Sequence, residues 1–207
     1  MKPEEAALST SERIGLRPAS FEDGAPALRL IEAALEHGCR EHYNPAQRRA
    51  VFLTYAETLF IDLVQPLDSV VAETDGPGAH VVGFAQLDPG AARLRALFVA
   101  PGMQGRGLGR ALLNVVERLA VARGLSRIQG AMSLNAVPFY LAAGFQPGRG
   151  ADRLSRGGVS VPVAPMEKRL DPGAGDGDGG DGEGPGQGDD RSGGRGHRGG
   201  RARPLIG

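Results

Sequence analysis

Apolar residues recur at helical spacing in four segments of the chain. In the first, residues 25–36, they repeat every three or four positions, and Asp23 just ahead of them suits an N-cap. A second helix is predicted over residues 45–59 because Asn44 followed by Pro45 is a cap residue and then a proline at the first helical position.

Two further helices are predicted in the second half of the chain. Apolar residues follow the i, i+3/i+4 pattern from Leu108 to Ala120, and Gly124 stands where a C-terminal cap belongs. Residues 136–143 are predicted to form a shorter helix that Gly144 ends.

Extended segments alternate with these helices. The pairs Asp75-Gly76 and Pro89-Gly90 are turn formers that join three of the segments into an antiparallel meander. The predicted strands cover residues 13–17, 69–74, 80–87, 94–99, 127–132 and 159–169. The order β-α-α-β-β-β-α-β-α-β, with room for one more strand after Phe145, predicts a single α+β domain. Its sheet is mixed, mostly antiparallel, of six or seven strands with flanking helices.

Composition places this domain at residues 13–170 and predicts that residues 1–12 and 171–207 are disordered. The second tail holds 15 glycines in 37 residues and too few apolar side chains to offset its chain entropy. Its first half is acidic and its second half basic, which leaves open a weak RNA contact of the RGG type or a solvated extension without a partner. The arginines concerned include Arg195, Arg198, Arg201 and Arg203.

Charge and cysteine content exclude several function classes. The 24 basic and 24 acidic residues of the chain cancel, and within 13–170 the balance of 18 basic to 14 acidic is too small to favour DNA. A single cysteine, Cys39, excludes an intrachain disulfide and a multi-cysteine metal site, and is expected to be a partly buried thiol near a helix end. The acidic N-terminus lacks an apolar run, and no stretch approaches the ~18 apolar residues of a membrane span. We therefore expect a soluble cytoplasmic protein without a metal or membrane partner.

The segment that carries chemistry is the glycine-rich turn between the strand at 94–99 and the following helix. Such a turn presents backbone N–H groups at a helix N-terminus, which favours a phosphate-bearing ligand. A P-loop would need lysine after Gly107, where Leu108 stands. A dinucleotide motif that starts at Gly105 would need glycine or alanine where Arg110 stands, and the acid expected about 20 residues later is missing.

Two motifs resemble those of the GNAT acetyltransferase superfamily. Residues 104–109, Gln-Gly-Arg-Gly-Leu-Gly, match its Q/R-x-x-G-x-G/A pattern, and the usual V-x-P lead-in precedes them at 99–101. Residues 135–145 look like its "N-A-x-x-F-Y-x-x-x-G-F" helix. Since the predicted element order also fits the family fold, the acyl-CoA N-acyltransferase fold, the resemblance covers residues 13–170.

The resemblance implies that acetyl-CoA lies where the parallel strands 94–99 and 127–132 splay apart. Backbone N–H groups of the glycine turn would hold the pyrophosphate, the strand edge would pair with the pantetheine arm, and an N–H near Leu97 or Phe98 would polarise the thioester carbonyl. Asn135 would cap the short helix or also touch the cofactor. The implied cofactor-binding residues are Leu97, Phe98, Val99, Gln104, Gly105, Arg106, Gly107, Leu108, Gly109, Arg110 and Asn135.

The implied reaction is direct attack by a primary amine on acetyl-CoA, with Tyr140 as the general acid that protonates the CoA thiolate. Phe139 beside it is interpreted as a core residue. The strand before the glycine turn has no acid to act as general base; Glu73, Asp88 and His80 are candidates, and ordered water is the alternative.

The acceptor remains open at this stage. The helices at 25–36 and 45–59 and the loop between them are expected to select it, and the loop segment 42–45, His-Tyr-Asn-Pro, resembles a Y-[ST]-P-E-Q segment of some members of the superfamily. The mixed charges of this region favour no one class among small amines, peptide N-termini and protein lysines. A homodimer is also left open. The alternative function is a non-catalytic acyl-CoA-binding sensor or interaction module.

Overall fold

The structure, a computed structural model, describes residues 13–65 and 67–171. The predicted tails, apart from Asp171, lie outside the described residues. Within them the helices are α1 (Gly24–Gly38), α2 (Pro45–Asp62), α3 (Leu108–Ala122) and the short α4 (Val137–Ala142). None of these helices is both long enough and apolar enough to span a membrane.

The described residues form nine strands, of which seven make one sheet. The strands are β1 (Ile14–Pro18), β2 (Asp68–Thr74), β3 (Val81–Asp88), β4 (Arg93–Val99), β5 (Arg127–Met132), β6 (Gln146–Pro147), β7 (Arg153–Arg156), β8 (Val159–Pro162) and β9 (Ala164–Arg169). The sheet order is β1-β2-β3-β4-β5-β9-β6, and every neighbouring pair is antiparallel except β4 and β5. The predicted mixed, mostly antiparallel sheet with flanking helices is confirmed, and β6 is the further strand after Phe145.

The sheet is covered by a helical layer on each face. The apolar stripe of α3, including Leu112 and Val116, packs with Ala85 and Ile128 on one face. On the other face α1 and α2 pack over the sheet, where the fully buried residues include Ile31, Leu59, Val71 and Phe84. Because both faces are covered, β3 is buried over most of its length.

The helix starts follow the predicted cap residues, with one difference in chemistry. Asn44 accepts a hydrogen bond from the Gln47 backbone N–H at 2.9 Å and forms a capping box ahead of Pro45. Asp23 occupies the N-cap position of α1, but its side chain does not cap that helix. Its carboxylate instead accepts two hydrogen bonds from Arg17, at 2.8 and 2.9 Å.

The prediction of one closing strand over residues 159–169 is wrong. The chain forms two strands there, β8 and β9, with Val163 between them. Gly157 and Gly158 adopt left-handed φ angles of 52° and 77°, which allow a tight turn, so β8 pairs with β7 in a separate hairpin. Only β9 joins the main sheet, between β5 and β6.

A β-bulge at Arg95 interrupts β4 at the centre of the sheet. Gln86 pairs with Ala96 and Leu87 with Leu94, so Arg95 is an extra residue without a partner on β3. The Tyr55 hydroxyl of α2 donates to the Arg95 carbonyl oxygen at 2.8 Å. The Arg95 guanidinium forms an ion pair with the buried Asp62 at 3.0 Å.

Replacing Tyr55 with phenylalanine should destabilise the bulge. Burial raises the pKa of Tyr55 to about 12, so its hydroxyl keeps its proton and can donate to Arg95. Loss of this bond should lower the free energy of unfolding by about 1 kcal/mol and the Tm by roughly 2–4 °C. Thr54→Val, which removes a hydroxyl bonded within α2, is the control and should stay within ~0.5 kcal/mol of wild type. Equal Tm values for wild type and Tyr55→Phe would contradict the assigned role.

Acid should weaken the contact between β1 and α1. Hydrogen bonding to Arg17 holds the pKa of Asp23 below its usual value. A lowered folded-state pKa contributes stability above the unfolded value of ~3.9, which is lost as the pH falls through the folded value. The difference in free energy of unfolding between wild type and Arg17→Gln, measured with urea, should therefore be constant from pH 5 to 8. It should shrink below about pH 4.

The exposed pair of Arg123 with Asp68 supplies the control for this measurement. Arg123→Gln should change the free energy of unfolding only slightly at any pH, because solvent screens an ion pair at the surface. A difference between wild type and Arg17→Gln that persists unchanged at pH 2 would contradict the role given to Asp23.

Candidate active site between the parallel strands

The parallel strands β4 and β5 touch at one end and separate toward the other. They pair only at Arg93 with Gln129, where the Gln129 backbone N–H donates to the Ala92 carbonyl at 2.9 Å. Beyond that point β4 carries the bulge at Arg95, and no described strand pairs with its edge facing β5 over residues 94–99. The predicted splay of the two central strands is therefore present, and it opens a cleft within the sheet.

The glycine turn closes one side of this cleft. After a short 3-10 turn at Pro101–Met103, Gly105 and Gly107 adopt left-handed φ angles of 75° and 81°, and α3 begins directly after Gly107. Among the described residues, no acceptor pairs with the backbone N–H groups of residues 105–110. Six neighbouring donors at a helix N-terminus form an anion-binding surface, because the helix dipole also favours negative charge there.

A cavity of about 290 Å³ lies beside the turn, and we call it the loop cavity. It is bounded by the end of β4, the glycine turn, the C-terminal end of α1 and the segment before α4. Its lining comprises Ala34, Gly38, Cys39, Leu97, Phe98, Val99, Gln104, Gly105, Gly109, Ser133, Asn135, Ala136 and Phe139. Seven of the eleven residues implied as cofactor-binding are in this set. Phe139, interpreted as core, both packs against the core and lines the cavity.

The other four implied residues lie around the turn without lining the loop cavity. Gly107 is the N-cap of α3, and Leu108 points into the core with 6% exposure, so only its backbone is available to a ligand. Arg110 donates to the Ala142 carbonyl at 2.7 Å and thereby fastens α3 to the end of α4. Arg106 is exposed and contacts the Met103 sulfur at 3.8 Å.

Asn135 does not cap the short helix. It lies in a 3-10 turn, Leu134–Ala136, and the N-cap of α4 is Ala136. Its side-chain oxygen accepts a hydrogen bond from the Cys39 thiol at 3.3 Å. Cys39 is buried at the C-cap of α1, as expected for a thiol near a helix end, and burial raises its pKa. The contact joins α1 to the wall of the loop cavity.

A second, smaller cavity of about 110 Å³ continues from the first, and we call it the inner cavity. Four residues, Leu97, Phe98, Ser133 and Ala136, line both cavities. The others that line the inner cavity are Leu35, Tyr43, Arg48, Val51, Tyr55, Leu94, Arg95, Ala96, Ala131, Met132, Tyr140, Leu154, Val161 and Val163. It therefore brings together α1, α2, the splayed strands, α4 and the β7–β8 hairpin.

Tyr140 lines the inner cavity and is only 5% exposed. Its ring makes edge-to-face contacts with Phe139 and Phe145, with centroids 5.1 and 5.2 Å apart. Burial raises the pKa of Tyr140, so the hydroxyl stays protonated. No described residue forms a hydrogen bond with that hydroxyl, which leaves it available to a ligand.

None of the three candidate bases lines either cavity. Glu73 pairs with Arg17 at 2.8 Å on the outer strands, and His80 bonds to the side chain of Thr74 at 3.2 Å. Asp88 accepts from the Ala91 backbone N–H at 3.1 Å in the turn before β4. Each of the three side chains is held by contacts within its own part of the sheet, and none of them faces the cleft.

The sequence indicated that the loop between the first two helices helps to select the acceptor, but it did not indicate the role of Tyr43 within that loop. Tyr43 donates to the Pro162 carbonyl at 2.9 Å and accepts from the Leu134 N–H at 2.8 Å. It therefore joins the α1–α2 loop to β8 and to the segment before α4.

Comparison with known proteins agrees with this geometry. The family model described as an acetyltransferase (GNAT) domain matches residues 39–170. A search of curated proteins returned no match. A GCN5-related N-acetyltransferase from Rhodopseudomonas palustris superposes with a TM-score of 0.67 at 27% identity, over 75% of this chain and 95% of that one.

Two further solved structures share the fold at lower identity. The PaiA N-acetyltransferase of Thermoplasma acidophilum, in complex with coenzyme A, gives a TM-score of 0.62 at 20% identity, over 76% of this chain and 99% of that one. The ribosomal-protein-S18-alanine N-acetyltransferase of Escherichia coli gives a TM-score of 0.55 at 17% identity, over 76% of this chain and 94% of that one. With the family model spanning most of the folded domain, the chain belongs to the GNAT acetyltransferase family.

Proposed function

We propose that the protein transfers an acetyl group from acetyl-CoA to a primary amine that attacks directly within a ternary complex. The observation that carries this proposal is the row of backbone N–H groups at residues 105–110, which no acceptor in residues 13–65 or 67–171 pairs with and which lies next to the cleft between β4 and β5. A related fold is known in complex with coenzyme A, which supports the same class of ligand here.

The residues of the loop cavity suit a CoA thioester. The N–H groups of the turn would bind its pyrophosphate, and the exposed Arg106 would add positive charge nearby. The free edge of β4 at Phe98 and Val99 would pair with the amide groups of the pantetheine arm as an added strand does. When bound, acetyl-CoA supplies the activated acyl group.

Groups at the junction of the two cavities would act on the reacting atoms. A backbone N–H near Leu97 or Phe98 would donate to the thioester carbonyl and stabilise negative charge that develops there. The Tyr140 hydroxyl would donate to the departing sulfur. Its raised pKa makes full proton transfer costlier than for a free phenol, so hydrogen-bond donation in the transition state is its main contribution.

Gly107→Val should weaken CoA binding. Valine is strained at a φ of +81°, so the turn must leave the conformation that aligns its N–H groups. We expect a dissociation constant raised at least about tenfold, since two or more charge-assisted hydrogen bonds would be lost. Calorimetry with CoA measures this constant. In wild type, CoA at 100 times its Kd should first be shown to raise the free energy of unfolding by about 2.7 kcal/mol.

Gly124→Val is the matched control for this substitution. Gly124 also has a left-handed φ, +77°, and open space around its Cα, but it lies at the other end of α3. Its replacement should cost similar stability and leave CoA affinity unchanged. Unaltered affinity in Gly107→Val, or no CoA binding by wild type, would overturn the placement of the cofactor.

Tyr140→Phe should lower kcat by roughly 10²-fold without changing CoA affinity. The ring contacts with Phe139 and Phe145 remain, so the fold should be preserved. Thr54→Val removes a hydroxyl of α2 that lines neither cavity, serves as the comparison and should keep the kcat of wild type. An equal loss of kcat in both variants would indicate a general disturbance of the site. A wild type that binds CoA but acetylates no small amine, peptide N-terminus or protein lysine would favour the acyl-CoA sensor.

A further inference from the structure

The inner cavity restricts the chemistry of the acceptor. We propose that the acceptor is a weakly basic aromatic amine, bound in its neutral form with its ring inside the inner cavity; this proposal rests on the proposed function. Alkylammonium ions and polyamines are excluded. The basis is the charge of the cavity wall, its apolar surface and the groups available to take a proton.

The described residues that line the inner cavity include two arginines and no aspartate or glutamate. Arg48 belongs to α2, and Arg95 is the bulged residue of β4. Each is already paired: Arg48 with Glu36 at 3.0 Å, and Arg95 with Asp62 at 3.0 Å. Because both nearby carboxylates are occupied, an ammonium ion would lose its hydration in the cavity without gaining a counter-ion, whereas a neutral amine avoids that cost.

The remaining wall is apolar and aromatic. Tyr55 and Phe98 meet edge to face with centroids 5.2 Å apart, and Leu35, Val51 and Val161 complete the apolar surface. The hydroxyl protons of Tyr43 and Tyr55 are donated to the carbonyls of Pro162 and Arg95, so these rings present mainly their carbon surfaces. Such a wall suits the ring of an aromatic amine.

Aromatic faces also attract ammonium ions, and this is the competing explanation for the wall. A cation–π contact contributes less than the cost of burying an ammonium ion without a counter-ion. The two carboxylates nearest the cavity, Glu36 and Asp62, are already paired with Arg48 and Arg95. The neutral ring is therefore favoured over the ammonium ion.

Among the described residues that line the inner cavity, none could deprotonate an ammonium ion near neutral pH. Its titratable and charged side chains are Arg48 from α2, Arg95 from β4, and three tyrosines, with Glu36 and Asp62 behind the arginines. The tyrosines are Tyr43, Tyr55 and Tyr140, and burial raises the pKa of each.

Amine basicity then decides which acceptors can react. An alkylamine with the lysine-like pKa of ~10.4 is neutral in only roughly 4 × 10⁻⁴ of molecules at pH 7. An aromatic amine is mostly neutral from pH 6 to 9 and needs no base before it attacks.

The step balances with the groups present. The amine nitrogen forms a bond to the thioester carbonyl carbon, and the carbon–sulfur bond breaks with its electron pair on sulfur. The nitrogen loses one proton to solvent. The sulfur accepts a hydrogen bond from the Tyr140 hydroxyl as the carbon–sulfur bond breaks, and it then gains one proton from solvent. The products are a neutral N-aryl amide and the CoA thiol.

The test compares two isomers of one size, para-toluidine and benzylamine, together with spermidine, using the full chain and acetyl-CoA. The ratio kcat/KM is measured for each amine from pH 6 to 9. For para-toluidine we expect a constant value. For benzylamine we expect a value that rises about tenfold per pH unit, because only the neutral amine reacts. Spermidine should give no measurable turnover at pH 7.

Several results would overturn the proposal while the proposed function stands. One is a benzylamine profile that levels off near pH 7, since an enzyme base would then be at work. Others are faster turnover of spermidine than of para-toluidine at pH 7, or no acetylation of para-toluidine by protein that binds CoA. Failure to bind CoA at all would instead remove the proposed function.

A substitution at Leu154 tests the role of charge. Leu154 lines the inner cavity from β7 and is 46% exposed, so polar residues there should not disturb folding. Leu154→Glu adds the missing carboxylate, and Leu154→Gln removes the same apolar side chain without adding charge. At pH 7 the KM for benzylamine should be two- to fivefold lower in the Glu variant than in the Gln variant, the range of an exposed ion pair. The KM for para-toluidine should be the same in both variants. Equal KM values for benzylamine in the Glu and Gln variants would overturn the electrostatic basis of the exclusion.

Discussion

The cleft depends on the bulge at Arg95. The extra residue bends β4 away from β5, so that the two strands pair only at Arg93 and Gln129. A bulge leaves a main-chain carbonyl without its partner in the ladder, and α2 satisfies it through Tyr55 while Asp62 neutralises the side chain. One helix therefore stabilises the irregularity in the sheet that makes room for a ligand. Both cavities lie along the edge of β4 that this arrangement leaves free.

The second constraint is the conformation of the glycine turn. Two left-handed residues, Gly105 and Gly107, turn the chain from the end of β4 directly into α3 and leave six N–H groups without an acceptor among the described residues. These donors would be costly if they were buried away from any ligand or solvent, but the turn is exposed. Arg110 fixes the start of α3 to the end of α4, so the anion-binding surface and Tyr140 belong to one rigid neighbourhood.

The part of the fold and site that local sequence determines could be predicted. Helix periodicity, the Asn44-Pro45 start and the glycine turn are short-range signals, and they indicated the elements, the sheet class and most of the loop cavity. The inner cavity could not be predicted, because its wall joins residues far apart in the chain. Tyr43 binds Pro162 across 119 positions, and no local pattern encodes that contact. The prediction of one closing strand was wrong for a related reason. Residues 159–169 all favour extended structure, and only the pairing of the first part with β7 separates it from the main sheet.

The separate β7–β8 hairpin has a consequence for how this protein can change. It forms no ladder with the main sheet, so insertions or exchanges within it leave the register of β4, β5 and β9 untouched. The glycine turn, by contrast, is fixed on both sides by a central strand and a core helix. Evolution can therefore vary the hairpin wall of the inner cavity while the anion-binding half stays the same. Laboratory recombination could use the same boundary, with the hairpin as an exchangeable cassette.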